Sequence, residues 1–429
     1  MSFTTSPARS ELKMVGQVAD AIPSSAYVHI PFCRRRCFYC DFPVSVVGDR
    51  LHGDNSGTIK EYIVALCREI SITPAFGQSL QTVFFGGGTP SLLSASQLSQ
   101  ILATLDRKFG IAESAEISME VDPGTFSLEQ LQGYKAAGVN RVSLGAQAFQ
   151  DELLQICGRS HSVADIYEAV DLIQTAEIAN FSLDLISGLP HQTLEQWQSS
   201  LSAATTIAPN HLSCYDLVVE PVTAFGRYFE TGIKPLPADE TAAQMYRLAQ
   251  QILTGAGYEH YEISNYALPG YQCRHNRVYW ENRPYYGFGM GAASYVQGVR
   301  LTRSRTRKDY YQWVDNLGLV KIDESPIEPS DFLLETLMLG LRLAEGLNIE
   351  AIAQKFGEKT LEKIWSCLQP YYRQGWVEIT TDDGLVSDLE DSQKLPLFSY
   401  LRLSDPEGFL FSNTILAALF SKLGEKDRL

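Results

Sequence analysis

The chain has 429 residues, 45% of them hydrophobic and 20% charged, and a formal net charge of −15. That length exceeds one ordinary core and implies a large domain plus a smaller one, while the acidic balance argues against non-specific binding to nucleic acid. No stretch of the first 25 residues resembles a secretory signal and no apolar run approaches 18 residues, so a soluble, cytoplasmic protein is expected, one that meets a membrane only peripherally.

Residues 1–24 read as a flexible leader, followed by an apolar strand at 26–30 and a loop bearing Cys33, Cys37 and Cys40. A polar stretch over 47–58 precedes a helix at 59–72, where Tyr62, Ile63, Leu66, Cys67 and Ile70 recur at helical spacing. A strand at 82–85 runs into Gly86, Gly87, Gly88, Thr89 and Pro90, and a helix at 94–109 starts on a serine cap, Ser94 or Ser96. The alternation continues with strands at 116–121, 141–144, 181–186 and 211–217. Between them lie helices at 127–137, 151–156 with 163–175, and 193–206. Strands alternating with helices imply βαβ units on a parallel sheet. Six such units fit, two fewer than a closed eight-fold barrel, so the expected architecture is α/β, a partial (β/α)6 barrel over 25–238.

Residues 239–254 form a strongly amphipathic helix, and the aromatic stretch 258–295 fits neither helix nor repeat. Both belong to a connecting region, 239–310, that ends in the basic segment 300–308. Past a boundary between 300 and 325, helices at 329–343, 349–356 and 361–373 precede a hairpin of 376–381 with 384–387, then a last helix at 412–423. This is the texture of a smaller mixed α+β, winged-helix-like domain over 311–429.

Five of the eight cysteines (Cys67, Cys157, Cys214, Cys273, Cys367) are scattered singly, as free thiols in a reducing compartment would be. The other three stand in a C-x3-C-x2-C spacing, one ligand short of the four that saturate an iron–sulfur cluster. The expectation is a [4Fe–4S] cluster with one iron left free for a small ligand. Structural zinc is the alternative and needs a fourth ligand, His29 or His52, although zinc knuckles usually come as paired C-x2-C and one pair is present. Apolar burial of free thiols sits poorly beside Arg34, Arg35 and Arg36. Those arginines are expected to lower the thiol pKa values and offset the charge of a thiolate-bound cluster.

The cysteine spacing, with Tyr39 just before the last cysteine, resembles the signature of the radical S-adenosylmethionine superfamily, which implies a full or partial (β/α) barrel. In that superfamily the free iron chelates the amino and carboxylate groups of S-adenosylmethionine. An electron from the cluster then cleaves the sulfonium bond to give a 5′-deoxyadenosyl radical. Gly87, Gly88 and Thr89 stand where the family carries its glycine-rich motif, and glycine lets backbone approach the methionine amino group. An ordinary strand-to-helix turn would need one glycine rather than three. Glu120, Gln147 and Asp184 fall near the carboxyl ends of strands, the face where barrel sites assemble. Together with Arg159 and Tyr27 they match family residues that contact the nucleotide. The resemblance implies Glu120 for the methionine ammonium or ribose hydroxyls, Asp184 for the ribose and Arg159 for the carboxylate.

Four further stretches, 27–33, 121–124, 143–147 and 184–190, resemble the oxygen-independent coproporphyrinogen III oxidase group. Its dehydrogenase branch carries another cysteine two positions after the third, where this chain has Phe42. The haem chaperone branch, HemW, reads Cys-Asp-Phe there, as Cys40, Asp41 and Phe42 do, and carries a His-Asn-x-x-Tyr-Trp motif, matched by His275, Asn276, Tyr279 and Trp280. That branch implies haem as cargo for client haemoproteins such as membrane respiratory enzymes. A homodimer is a further expectation, and a nucleic-acid partner is not. The rival reading is an enzyme that oxidatively decarboxylates coproporphyrinogen III. His275 is either a packed, hydrogen-bonded residue or an axial haem ligand, with Cys273 a rival ligand. The run Arg300, Arg303, Arg305, Arg307 and Lys308 is a solvated face by default, or a contact for haem propionates or anionic lipid.

Overall fold

The computed structural model describes residues 22–49, 52–316, 328–381, 395–396 and 398–424. The chain opens with β1 (Ser25–Ile30), then β2 (Phe32–Cys33) and β3 (Ser45–Val46), which pair in parallel and bracket the cysteine loop. Helix α1 (Gly57–Ile72), β4 (Leu80–Gly87), α2 (Ala95–Phe109), β5 (Ile111–Val121), α3 (Leu128–Ala137) and β6 (Arg141–Gln147) follow in strict alternation. Helices α4 (Asp151–Ile156) and α5 (Val163–Thr175), β7 (Asn180–Ser187), α6 (Leu194–Ile207) and β8 (His211–Asp216) complete the pattern. One device starts α2, α3, α5 and α6: Ser94, Ser127, Ser162 or Thr193 caps the backbone N–H three residues on, whose own side chain reaches back. Each box satisfies two orphan donors of the first turn and sets where the helix begins.

Helices α7 (Ala224–Tyr228) and α8 (Asp239–Gly255) lead to β9 (Glu259–Glu262), β10 (Asn265–Ala267), α9 (Arg274–Trp280) and β11 (Tyr286–Phe288). A hairpin of β12 (Ala293–Val296) and β13 (Val299–Thr302) precedes α10 (Arg307–Asn316). The main sheet has nine strands in the order β11-β1-β4-β5-β6-β7-β8-β10-β9. The six expected strands, β1 and β4 to β8, run parallel and form the partial barrel. Strand β11 extends them in parallel beyond β1, and β10 and β9 extend them antiparallel beyond β8. The aromatic stretch 258–295, expected to be neither helix nor repeat, therefore supplies three strands of the main sheet, the helix α9 and most of β12. Its strands are three or four residues long and almost wholly buried, so they carry no period-2 alternation to read.

Along the parallel strands Val83, Phe85, Met119, Val142, Leu144, Leu183 and Leu185 join the apolar core with the helices. The alternate positions, on the opposite face, are polar: Glu116, Ser118, Glu120, Arg141, Ser143, Ser182 and Asp184. At the β1 edge a buried polar clamp holds β11 in place. Glu69 on α1 is fully buried and accepts from Arg303 Nε at 2.8 Å, the Tyr310 hydroxyl at 2.7 Å and the Gly289 N–H at 2.8 Å. The Tyr62 hydroxyl donates to the His29 carbonyl at 2.8 Å and accepts the Met290 N–H at 3.0 Å.

The expected basic face is thus broken up. Arg303 is a buried ion-pair partner, Arg300 pairs with Glu335 at 2.8 Å, and Arg305 is tied to Asp41. The reason is strand alternation: Val299, Leu301 and Arg303 share one face, with the Arg303 N–H still bonded to the Ala292 carbonyl at 2.9 Å, while Arg300 and Thr302 face outward.

The C-terminal part comprises α11 (Pro329–Gly340), β14 (Leu347–Asn348), α12 (Ile349–Phe356), α13 (Glu358–Arg373), β15 (Val377–Thr381), β16 (Ser399–Leu403), α14 (Glu407–Leu410) and α15 (Ser412–Gly424). Its antiparallel sheet has the order β14-β16-β15, and Leu337, Ile349, Ile364, Leu368, Ile379 and Leu419 lie in a second apolar core. The expected hairpin arm at 384–387 lies outside the described residues. Arg247 on α8 grips Glu407 at 2.6 and 3.0 Å, and His260 on β9 bonds Asp405 at 2.8 Å, joining the two cores.

Candidate cofactor site

A cavity of about 420 Å3 reaches from the carboxyl ends of the parallel strands into the sheet interior, bordered by Tyr27, Gly87, Glu120, Asp184, His275 and Phe42 among others. The cysteine loop lies at its rim. Cys33, Cys37 and Cys40 are free and half-buried, and the loop is folded by Cys40 N–H donating to the Cys37 carbonyl at 3.2 Å and Phe38 N–H to the Cys157 carbonyl at 3.0 Å. Tyr39 is tucked under the loop against Phe225, ring centroids 6.4 Å apart.

The arginines between the cysteines act as expected only in part. Arg34 donates to the Gly124 carbonyl, Arg35 to Asp49 and Arg36 to the Cys40 carbonyl. With those guanidiniums turned away, burial dominates and, aided by Asp122, pushes the Cys33 thiol up to about 12. Burial also raises Cys40, although Arg36 and Arg159 pull it down. The Cys33 and Cys40 thiolates are therefore favoured by a bound cation.

His29 does not offer that site a nitrogen. Its ring bonds the Tyr27 hydroxyl at 3.0 Å and the Pro43 carbonyl at 3.1 Å, and burial lowers its pKa to about 4. Among the described residues no three His, Cys, Asp or Glu side chains converge on a single-ion site. Three soft thiolates without a nitrogen partner fit an iron–sulfur cluster better than Cys3His zinc.

The glycine run is demanded first by packing. A Cβ on Gly88 would stand 2.7–2.9 Å from the backbone of Ile30 and Phe32, and one on Gly87, whose φ is +110°, would strike His29. The loop after β4 is thereby pressed onto the cysteine-bearing strand. Gly87 N–H donates to Glu120 Oε2 at 3.0 Å, and Thr89 Oγ1 donates to Asp122 Oδ2 at 2.9 Å.

Asp122 is the hub that reading the sequence missed. Its other oxygen accepts from Arg159 Nη2 at 2.5 Å, in a pair whose arginine side chain is 8% exposed, while Arg159 Nη1 stands 3.5 Å from Cys37 Sγ. A Cβ on Gly145 would meet Asp122 and the Gln147 amide at 2.8 Å and Arg159 at 3.4 Å, so the structure gathers Thr89, Asp122, Gln147 and Arg159 beside the cysteines. The signal for Asp122 is its place two residues after Glu120, just past the carboxyl end of β5 and inside the 121–124 motif.

Deeper in the cavity, burial and the neighbouring Asp184 push Glu120 up to about 8. Burial also raises Asp184, against hydroxyls of Ser143 at 2.9 and 3.0 Å and Ser182 at 3.3 Å. Two close carboxyls, one largely protonated near neutral pH, are suited to a ligand bearing an ammonium and hydroxyls.

His275 lines the cavity with no nitrogen free for a metal. It is fully buried, sharing hydrogen bonds with Thr82 Oγ1 at 2.7 Å and the Tyr279 hydroxyl at 2.9 Å, and stacks on Phe84. Burial lowers its pKa to about 3. In this conformation it is the packed, hydrogen-bonded residue, not an axial ligand. Cys273 is likewise buried, its thiol 3.7 Å from Glu116, with a pKa pushed up to about 12.

Comparison with known proteins agrees with this geometry. A family model described as "Radical SAM superfamily" matches residues 27–204, and one described as "HemN C-terminal domain" matches 327–386. A Synechocystis protein named "Heme chaperone HemW" is 50% identical over 94% of this chain and 98% of its own length. Proteins of the same name from Bacillus subtilis and Escherichia coli are 37% and 36% identical, over 78% and 77% of this chain and 87% and 86% of theirs. The Escherichia coli coproporphyrinogen III oxidase HemN, a radical SAM enzyme, shares the fold with a TM-score of 0.76 at 23% identity, covering 94% of this chain and 91% of that one. The chain belongs to the HemW haem chaperone family of the radical S-adenosylmethionine superfamily.

Proposed function

We propose that the chain binds haem and hands it to client haemoproteins, with a [4Fe–4S] cluster on Cys33, Cys37 and Cys40 and S-adenosylmethionine in the adjoining cavity. The observation that carries this reading is Phe42. It occupies the position where the dehydrogenase pattern has a further cysteine, is 58% exposed and borders the cavity. The name shared by relatives that match most of this chain supports the same reading.

The cluster, when bound, supplies an electron to S-adenosylmethionine. The chain's own residues position that ligand: Arg159, fixed by Asp122, faces its carboxylate, Glu120 its ammonium or ribose, and Asp184 the ribose. Tyr27 and Gly87 close the cavity around it. Among the described residues no helix is long and apolar enough to cross a membrane, so a membrane-bound client would be met from the aqueous side. The reading as a coproporphyrinogen III decarboxylase draws on the fold shared with HemN and loses its footing at position 42.

The test uses anaerobically reconstituted protein, titrated with haem by absorbance and then assayed for protoporphyrinogen formation from coproporphyrinogen III. Stoichiometric haem binding without product is expected. Product formation would move the protein to the enzyme reading, and absence of haem binding would end the chaperone reading.

A further inference from the structure

The polar interior of the sheet leaves the Nε of Arg141 without a partner. This first residue of β6 is 2% exposed and borders the cavity; its buried Nε has no hydrogen-bond partner, and Glu116 and Asp184 act on it through space without an ion pair among the described residues. Such a group is costly to bury alone. The carboxylates nearby are already engaged. Glu116 accepts from the Cys273 thiol and from the N–H groups of Arg274 and His275, and Asp184 accepts from Ser143 and Ser182. Ser118, the register partner of Arg141 on β5, keeps a buried hydroxyl that is also without a partner. Two unused donors therefore sit side by side on adjacent strands. Ser143 and Glu120 pair one inward step above them, so Arg141 lies deeper than the groups assigned to the nucleotide. Tyr27, Phe84 and Tyr279 wall the cavity with rings.

We propose that Arg141 is the anion-binding floor of the cavity and receives a carboxylate of the ligand held above it. A guanidinium presents a planar fork of N–H donors that matches a carboxylate in two-pronged fashion. The inference rests on the haem and S-adenosylmethionine reading for its ligands, and the same chemistry has two sources: a propionate of the tetrapyrrole or, with Arg141 taking the place given above to Arg159, the amino-acid carboxylate of S-adenosylmethionine.

The experiment compares wild type with Arg141→Met and Arg141→Lys, all anaerobically reconstituted. Haem and its dimethyl ester form one arm, S-adenosylmethionine and its decarboxylated form the other, each followed by equilibrium titration. Arg141→Met is expected to weaken one of the two acids by roughly 10- to 100-fold and leave its neutralised analogue unchanged, with Arg141→Lys in between. The arm that responds names the source. Ligand-free Arg141→Met is expected to melt no lower than wild type, because it removes a buried charge whose Nε has no hydrogen-bond partner. Unchanged affinity for both acids would overturn the proposal. So would a lower melting temperature of ligand-free Arg141→Met, which would mark Arg141 as a structural counter-ion of Glu116 and Asp184. If wild type binds no haem, the chaperone reading fails by itself, and the S-adenosylmethionine arm alone decides the role of Arg141.

Discussion

Replacing Arg303 with Met tests the buried clamp at the β1 edge. Arg303 and Glu69 are 4% and 0% exposed at their side chains and meet at 2.8 Å. Without the guanidinium, Glu69 keeps only the Tyr310 hydroxyl and the Gly289 N–H, at 2.7 and 2.8 Å. Breaking a buried pair from one side strands the other charge and costs about 3–5 kcal/mol, against roughly 0–1 kcal/mol for an exposed pair. Since a folded domain is stable by only about 5–15 kcal/mol, the single variant should unfold at visibly lower urea. The double variant Arg303→Met/Glu69→Leu removes both charges and should recover most of the loss. Urea unfolding followed by tryptophan fluorescence, with wild type, both singles and the double, gives the coupling. A single-variant loss below about 1 kcal/mol, or a double variant no more stable than the Arg303 single, would refute the assignment of Arg303 to the core.

Other outcomes follow from the site. Cys33→Ala, Cys37→Ala or Cys40→Ala should abolish the visible absorbance of iron- and sulfide-reconstituted protein, and a colourless, zinc-containing protein would contradict the cluster. With Glu120 pushed up to about 8, the ligand-free site is largely protonated at pH 7 and must release a proton to meet a cationic ligand. Affinity for S-adenosylmethionine should therefore rise from pH 6 towards 8, and Glu120→Gln should remove that component. Equal slopes in the two proteins count against it. Asp122→Ala strips Arg159 of its carboxylate partner and should weaken S-adenosylmethionine at least about tenfold by calorimetry. Because both nitrogens of His275 are spent on Thr82 and Tyr279, His275→Gln should leave the absorption bands of bound haem in place; a shifted Soret band would restore it as a ligand.

The barrel strands and their helices are legible in the chain because two local signals coincide there. Apolar residues alternate with polar ones along β5 to β7, and a capping box opens helix after helix. Strand β11 is hidden: Tyr286, Gly287 and Phe288 are buried on every side and have no period. The site divides in the same way. Cysteine spacing and strand-end polar residues announce themselves, whereas Asp122 acts through Arg159, a residue 37 positions away, and only the fold brings them together. Arg303 and Arg300 look alike in the sequence, and their opposite fates come from the odd spacing that puts them on opposite faces of a strand too short to be read beforehand. Of the three arginines beside the cysteines, Arg36 alone pulls on the Cys40 thiol, because adjacency along the chain says nothing of where a guanidinium points.

The place of β11 has a consequence for biosynthesis. The strand that leads into the cysteine loop is flanked on one side by β4 and on the other by residues 286–288, more than two hundred residues later in translation. At a ribosomal pace of about 5–20 residues per second, that partner emerges roughly 10–50 s after the cysteines do. Throughout that interval the nascent thiols hang from an open sheet edge, and the clamp through Glu69 has not been made. The β1 edge and its clamp are therefore completed only once residues 303 and 310 have followed β11 out of the ribosome, some 270 residues after the cysteines.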